Sequence, residues 1–144
     1  MNIRINCENR IVGRVLSTIV KLVKSDPLVV LYVLNWHNCM LTGDIAFAVA
    51  KDKYNRDHHT KDHGPYISHT IRHHFWRSLR GMLPKNHRRA ISLRRRIRLV
   101  SPLDITSGLH GRINFKWQIP SSGIRIQKGY TVREWVQRTG GACN

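Results

Sequence analysis

Six histidines crowd the middle of this chain. His58, His59, His63, His69, His73 and His74 fall within seventeen positions, out of nine His in the whole sequence. Imidazole can ligate zinc or exchange a proton near neutral pH. His69 and His73 have the i, i+4 spacing that would set two rings on one helix face, as zinc ligands require. Yet no Glu stands between them to act as a base, and no C-x-x-C accompanies them. The three cysteines, Cys7, Cys39 and Cys143, are scattered. His37 and Cys39 are two apart, but side-by-side placement along a strand does not create attack geometry, and Cys39 reads better as a small buried hydrophobe. Gly13 lacks the further glycines of a dinucleotide fingerprint and reads as a tight turn. These residues give no catalytic set, no metal site and no cofactor site. A metal-dependent nuclease built on the His cluster is one alternative.

The other chemistry available is that of fixed positive charge. Between His69 and Leu99 ten residues are Lys or Arg, and no Asp or Glu occurs from His63 to Leu103. The planar fork of Arg binds phosphate oxygens in pairs and stacks on exposed bases, so the expected partner is a nucleic acid. Arg72, Arg77 and Arg80 fall off the apolar stripe of one predicted helix. Arg77 and Arg80, three apart, share a face and could grip neighbouring phosphates. Lys85, Asn86, His87, Arg88 and Arg89 read as a loop after Pro84, where side chains and backbone N–H groups meet one bend of RNA or DNA. Arg94, Arg95, Arg96 and Arg98 surround the next segment and cannot all face one groove, so contact with more than one nucleic-acid segment is expected. His69 and His73 are read as neutral or partly charged nucleic-acid contacts, and Arg14 adds a cation near the start of the chain. A charge run of this kind is usually a solvated face; the unbroken absence of acids argues against that here.

Local pattern indicates which elements must hold these groups. Ile3 and Ile5 alternate with Arg4 and Asn6, a strand signal. Val12, Val15, Leu16, Ile19, Val20 and Val23 fit the i, i+3, i+4 template of a helix over Val12 to Lys24, ended by Asp26-Pro27. Leu28 to Leu34 is short, apolar and β-branched, the pattern of a strand covered on both faces. Strand, helix and strand make a βαβ unit, hence a parallel sheet with a right-handed crossover. Cys39 to Thr42 is expected to extend that sheet. Asp44 caps a helix to Tyr54 with Ile45, Phe47, Ala48 and Ala50 inside; Asn55 to Pro65 is a polar loop. Ile71, Phe75, Leu79 and Met82 form the buried stripe of the basic helix, and Trp76 lies beside it as a packing residue. Gly81 and Pro84 end that helix. A strand is expected at Leu99-Val100, a loop over Leu103 to Gly111 and a turn over Pro120 to Gly123; Asn114 to Ile119 is ambiguous. Thr131 and Glu134 have capping-box spacing, and the last helix stops at Gly140-Gly141.

Whole-chain properties fit. A length of 144 residues, 41% of them hydrophobic, makes one domain over 1–144 the default. The formal charge of +17 is spread from Arg4 to Arg138. Such self-repulsion disfavours the compact state unless counter-charge is bound. The odd, unpaired cysteines fit a reducing compartment. Arg4 and Glu8 interrupt any apolar run at the start, so no secretory leader is expected, and no run is long enough to span a bilayer.

The run GPYISHTIRHHFWRSLRGMLPKNHRRA, Gly64 to Ala90, resembles the signature of large-subunit ribosomal protein thirteen, the universal L-thirteen family. The FWR-x-x-RGMLP core carries the likeness, and its Phe-Trp-Arg wording is similar to the archaeal and eukaryotic branch. Ile11 to Ser17 resembles the family's early G-R-L-A-S turn, Leu41-Thr42-Gly43 its strand-ending glycine, and Tyr130 to Gly141 its closing helix. Ala90 stands where the family has glycine, and Asn6-Cys7 where it usually has an acidic residue. The resemblance implies a three-layer α/β/α fold with a small mostly parallel sheet. It implies a structural protein of the large ribosomal subunit, without catalysis or obligatory cofactor, bound to large-subunit rRNA beside neighbouring ribosomal proteins. The implied location is the cytoplasmic ribosome, with nucleolar assembly in a eukaryote. The alternative is an RNA-binding regulator acting away from the ribosome.

Overall fold

The computed structural model describes residues 1–58, 68–101, 117–119 and 128–141. Strand β1 (Asn2–Asn6) turns Ile3 and Ile5 into the interior and leaves Arg4 half-buried on the other side. Helix α1 (Val12–Ser25) buries the six residues whose spacing marked its inner face. It returns the chain to β2 (Val30–Leu34), which runs parallel to β1 with Ile5 opposite Val33. β2 is shorter than the apolar run predicts. The Asp26 carboxylate accepts a hydrogen bond from the Leu28 backbone N–H (2.8 Å), which keeps Leu28 in the turn, 75% exposed. Nor is β2 fully covered on both faces: Leu31 and Val33 are buried, while Val30, Tyr32 and Leu34 are half-buried.

β4 (Ile97–Leu99) and β5 (Trp117–Ile119) complete a parallel sheet in the order β4-β2-β1-β5. The expected strand at Leu99-Val100 thus begins two residues earlier, and Val100 N–H still donates to the Val33 carbonyl (3.0 Å). The ambiguous stretch is a strand over 117–119. The expected loop at 103–111 and turn at 120–123 lie outside the described residues, as do 59–65 of the expected polar loop. Residues 40–42 do not extend the main sheet. As β3 (Met40–Thr42) they pair antiparallel with β6 (Gly129–Thr131). The fold is α/β with a small mostly parallel sheet, as expected.

Helix α2 (Ile45–Asp57) starts where Asp44 accepts from the Ala46 N–H (2.9 Å). It continues three residues past the predicted end and buries none of its residues; Phe47 is 71% exposed. The cause is angular. At 100° per residue, positions 45, 47, 48 and 50 spread around the helix instead of forming a stripe. Helix α3 (Ile71–Arg80) buries Ile71, Phe75 and Leu79, but it ends at Arg80, so Met82 leaves the stripe and is 39% exposed. The segment read as a loop after Pro84 begins a helix, α4 (His87–Arg95), with Asn86 as its cap. Helix α5 (Val132–Arg138) carries the complete Thr131–Glu134 capping box.

One continuous core joins the sheet to α1, α3, α5 and the turn at Trp36. Phe75 stands edge-on to Trp36 with ring centroids 4.8 Å apart. Gly140 adopts φ +81° to close α5, and a side chain at Gly141 would meet the His69 backbone carbonyl. Only glycine allows the chain to pass so near.

Candidate nucleic-acid interface

Helix α3 presents a cationic stripe opposite its buried one. His73, Arg77 and Arg80 follow each other at i, i+4 and i+7; both arginines are exposed and His73 is half-buried. Arg72 is exposed on a separate flank. Thr70 caps the helix by accepting from the His73 N–H (3.2 Å), so α3 starts after His69. His69 and His73 therefore do not share a helix face. His69 instead points its Nε2 at both carboxylate oxygens of Asp52, 3.1 Å from each, and lies beside Trp135. Its side chain is 11% exposed, which sets it apart from the open basic surface.

Helix α4 has three differently engaged faces. Arg94 lies over Trp76, its guanidinium carbon 4.7 Å from the ring centroid, so Trp76 is partly buried packing as expected and also a cation–π platform. Arg88, Ile91 and Arg95 form an exposed face. Arg89, Ser92 and Leu93, with Arg96 at the C-cap, look toward the end of α1; there Arg96 Nη1 donates to the Asp26 carbonyl (2.7 Å). Arg14, Lys85, His87 and Arg98 are exposed elsewhere. Asn86 spends its side-chain oxygen on the Arg89 N–H (3.4 Å), so its first role is that of a cap.

Two electrostatic facts distinguish this surface. Among the described residues no carboxylate pairs with any Lys or Arg from Arg72 to Arg98; Asp52 takes Arg56 and His69 as its partners. The first turn of α4 also carries His87, Arg88 and Arg89 and no acid. A helix N-terminus is the positive end of the dipole, where cations are disfavoured. That arrangement costs the isolated fold stability and suits an anion bound from outside.

The cysteines among the described residues are withdrawn from solvent. Cys7 and Cys39 are fully buried. Burial pushes the Cys39 thiol up to about 12 and Cys7 higher still, so both are held as thiols. Among the described residues no group of three His, Cys, Asp or Glu comes together as metal ligands would. His59 and His63 lie outside those residues.

His74 has Trp36 and Trp135 beside its ring, and its Nδ1 has no hydrogen-bond partner among the described residues. Burial above all, then Arg77 and His73, lowers its pKa to about 4. The unfolded ring titrates near 6.5, so between pH 6.5 and 4 the unfolded chain binds the extra proton. Stability is then fully present above pH 6.5 and falls as pH drops toward 4, by about 3 kcal/mol at most. Urea unfolding at pH 7 and pH 4.5 measures this, and His74→Phe is expected to flatten the difference.

Sequence reasoning missed three participants. Lys24, which the sequence marks only as the last residue of the predicted first helix, lines a cleft together with Arg89 and Arg96. Asp52 gave no hint of its link to His69, seventeen residues on. The Arg94–Trp76 contact needed the angle between two helices. No family model matches the chain. It is 33% identical over 110 residues to the large ribosomal subunit protein uL13 of Archaeoglobus fulgidus, an overlap covering 75% of this chain and 67% of that protein.

Proposed function

This chain belongs to the family of large ribosomal subunit protein uL13, and from that premise we propose that it is a structural constituent of the large subunit, folded as one domain and holding rRNA in place by Arg and Lys contacts to phosphate. It performs no chemistry of its own. Its partners are large-subunit rRNA and adjacent ribosomal proteins, and its place is the ribosome. The observation that carries this reading is the exposed, acid-free cationic surface of α3 and α4, with cations placed even where the α4 dipole disfavours them. The proposed contacts are Arg72, His73, Arg77 and Arg80 on α3, Lys85 and His87 to Arg89 at the following turn, and Arg94, Arg95 and Arg98 beyond. Arg14 lies at the start of α1. Arg96 contributes the donors not given to Asp26, Asn86 its remaining amide N–H groups, and His69 only a supporting position for α3.

Such contacts release counterions, so affinity for large-subunit rRNA is expected to fall with salt at a log–log slope of roughly −0.7 to −0.9 per phosphate engaged. Filter binding of the purified chain to rRNA across a salt series measures the slope. Sucrose-gradient fractionation of lysate after a high-salt wash gives the second readout, with the chain expected to remain in large subunits. Its absence there, with RNA binding intact, would favour a regulator acting off the ribosome. Chelator-sensitive cleavage of the RNA would instead point to a nuclease.

A further inference from the structure

A cleft of about 540 Å³ separates the end of α1 from the inner face of α4. α4 and its C-cap supply Arg89, Ser92, Leu93 and Arg96, a single i, i+3, i+4, i+7 row. Lys24 and Pro27 stand opposite, and Pro84 from the α3–α4 turn completes the lining. Among the described residues three cations and no carboxylate line this space, together with two prolines and a leucine. The volume lies within the range of small-ligand sites. Arg96 is already oriented by its bond to the Asp26 carbonyl, so little side-chain freedom is lost when its other donors are used.

A ligand matching this lining combines negative charge with an apolar surface. We propose that the cleft receives one unstacked nucleotide of an RNA strand, its base against the prolines and Leu93 and its phosphate between Lys24 and Arg89. The proposal rests on the rRNA-binding role above and adds Lys24 and Ser92 to it. A strand fits better than a free nucleotide because the exposed Arg88 and Arg95 of the same helix continue the positive charge beyond the cleft, where flanking phosphates would lie. Bases splayed from single-stranded segments are the usual object of specific RNA recognition.

The test uses the full chain and a large-subunit rRNA transcript, with two variants outside the main cationic stripe. Lys24→Ala is expected to make the log–log salt slope shallower by roughly 0.7 to 0.9, the value of one phosphate contact. Ser92→Trp fills the cleft without changing charge and is expected to weaken binding roughly tenfold, within the range measured for one stacked base. Circular dichroism checks that Ser92→Trp folds; Lys24 is exposed, so its variant tests the proposal even if the other does not fold. If wild-type chain binds rRNA with the expected salt dependence and properly folded variants match it in affinity and slope, the cleft is not a nucleotide site, while the rRNA-binding role stands. If the wild-type chain does not bind rRNA, both fall. Saturable micromolar binding of AMP, with RNA affinity the same in all three proteins, would overturn the strand in favour of a free nucleotide.

Discussion

Reversing charge at both Arg77 and Arg80, as Arg77→Glu with Arg80→Glu, is expected to abolish incorporation of the chain into large subunits while leaving its thermal unfolding nearly unchanged. Both side chains are exposed at the end of α3, opposite Phe75 and Leu79, and neither is paired with a carboxylate among the described residues. Among the described residues no carboxylate partner is therefore lost when they change. A hydrogen bond to a charged group is worth about 1.5–3 kcal/mol, so removing two lowers rRNA affinity about a hundredfold or more. The new carboxylates would also be repelled by phosphate. Filter binding gives the affinity, and gradient fractionation of cells expressing the tagged variant gives the incorporation. Normal incorporation of a folded double variant would contradict the proposed interface.

Truncating Phe75 acts on the other side of the same helix and is expected to have the opposite profile. Phe75 is fully buried, edge-on to Trp36 at 4.8 Å and close to Trp76 at 5.0 Å. Phe75→Ala removes those ring contacts and leaves a cavity between α3 and the Trp36 turn. Substitutions of this kind cost about 3–5 kcal/mol, a large part of the stability of a small domain. Chemical denaturation would register it as a lower midpoint, with RNA affinity largely retained by molecules that remain folded. An unchanged midpoint would remove Phe75 from the core.

The two variants also separate what was legible in the sequence from what was not. The α1 face, the α3 stripe from Ile71 to Leu79 and the Thr131–Glu134 cap depend on residues within one or two turns of each other, so spacing alone identifies them. β3 was misplaced because its partner, β6, lies about ninety residues away and nothing local shows whether a short strand extends one sheet or starts another. α2 was expected to bury an apolar face because it contains apolar residues, although their angles around the helix do not converge. In the basic surface, the types and positions of the cations were readable. Which ones are engaged within the fold was not: the tethering of Arg96 to Asp26 spans seventy residues, and the docking of His69 on Asp52 depends on the segment just before α3 reaching α2.

The strand order β4-β2-β1-β5 also bears on how the chain is made. The central pair is encoded first, within the opening 34 residues, and the outer strands come later on either side. During synthesis at about 5–20 residues per second, one edge of β1 waits several seconds for residues 117–119 to emerge. An unpaired strand edge invites mispairing with other chains. The nascent protein is thus most exposed to aggregation along the strand that ends up in the middle of its sheet.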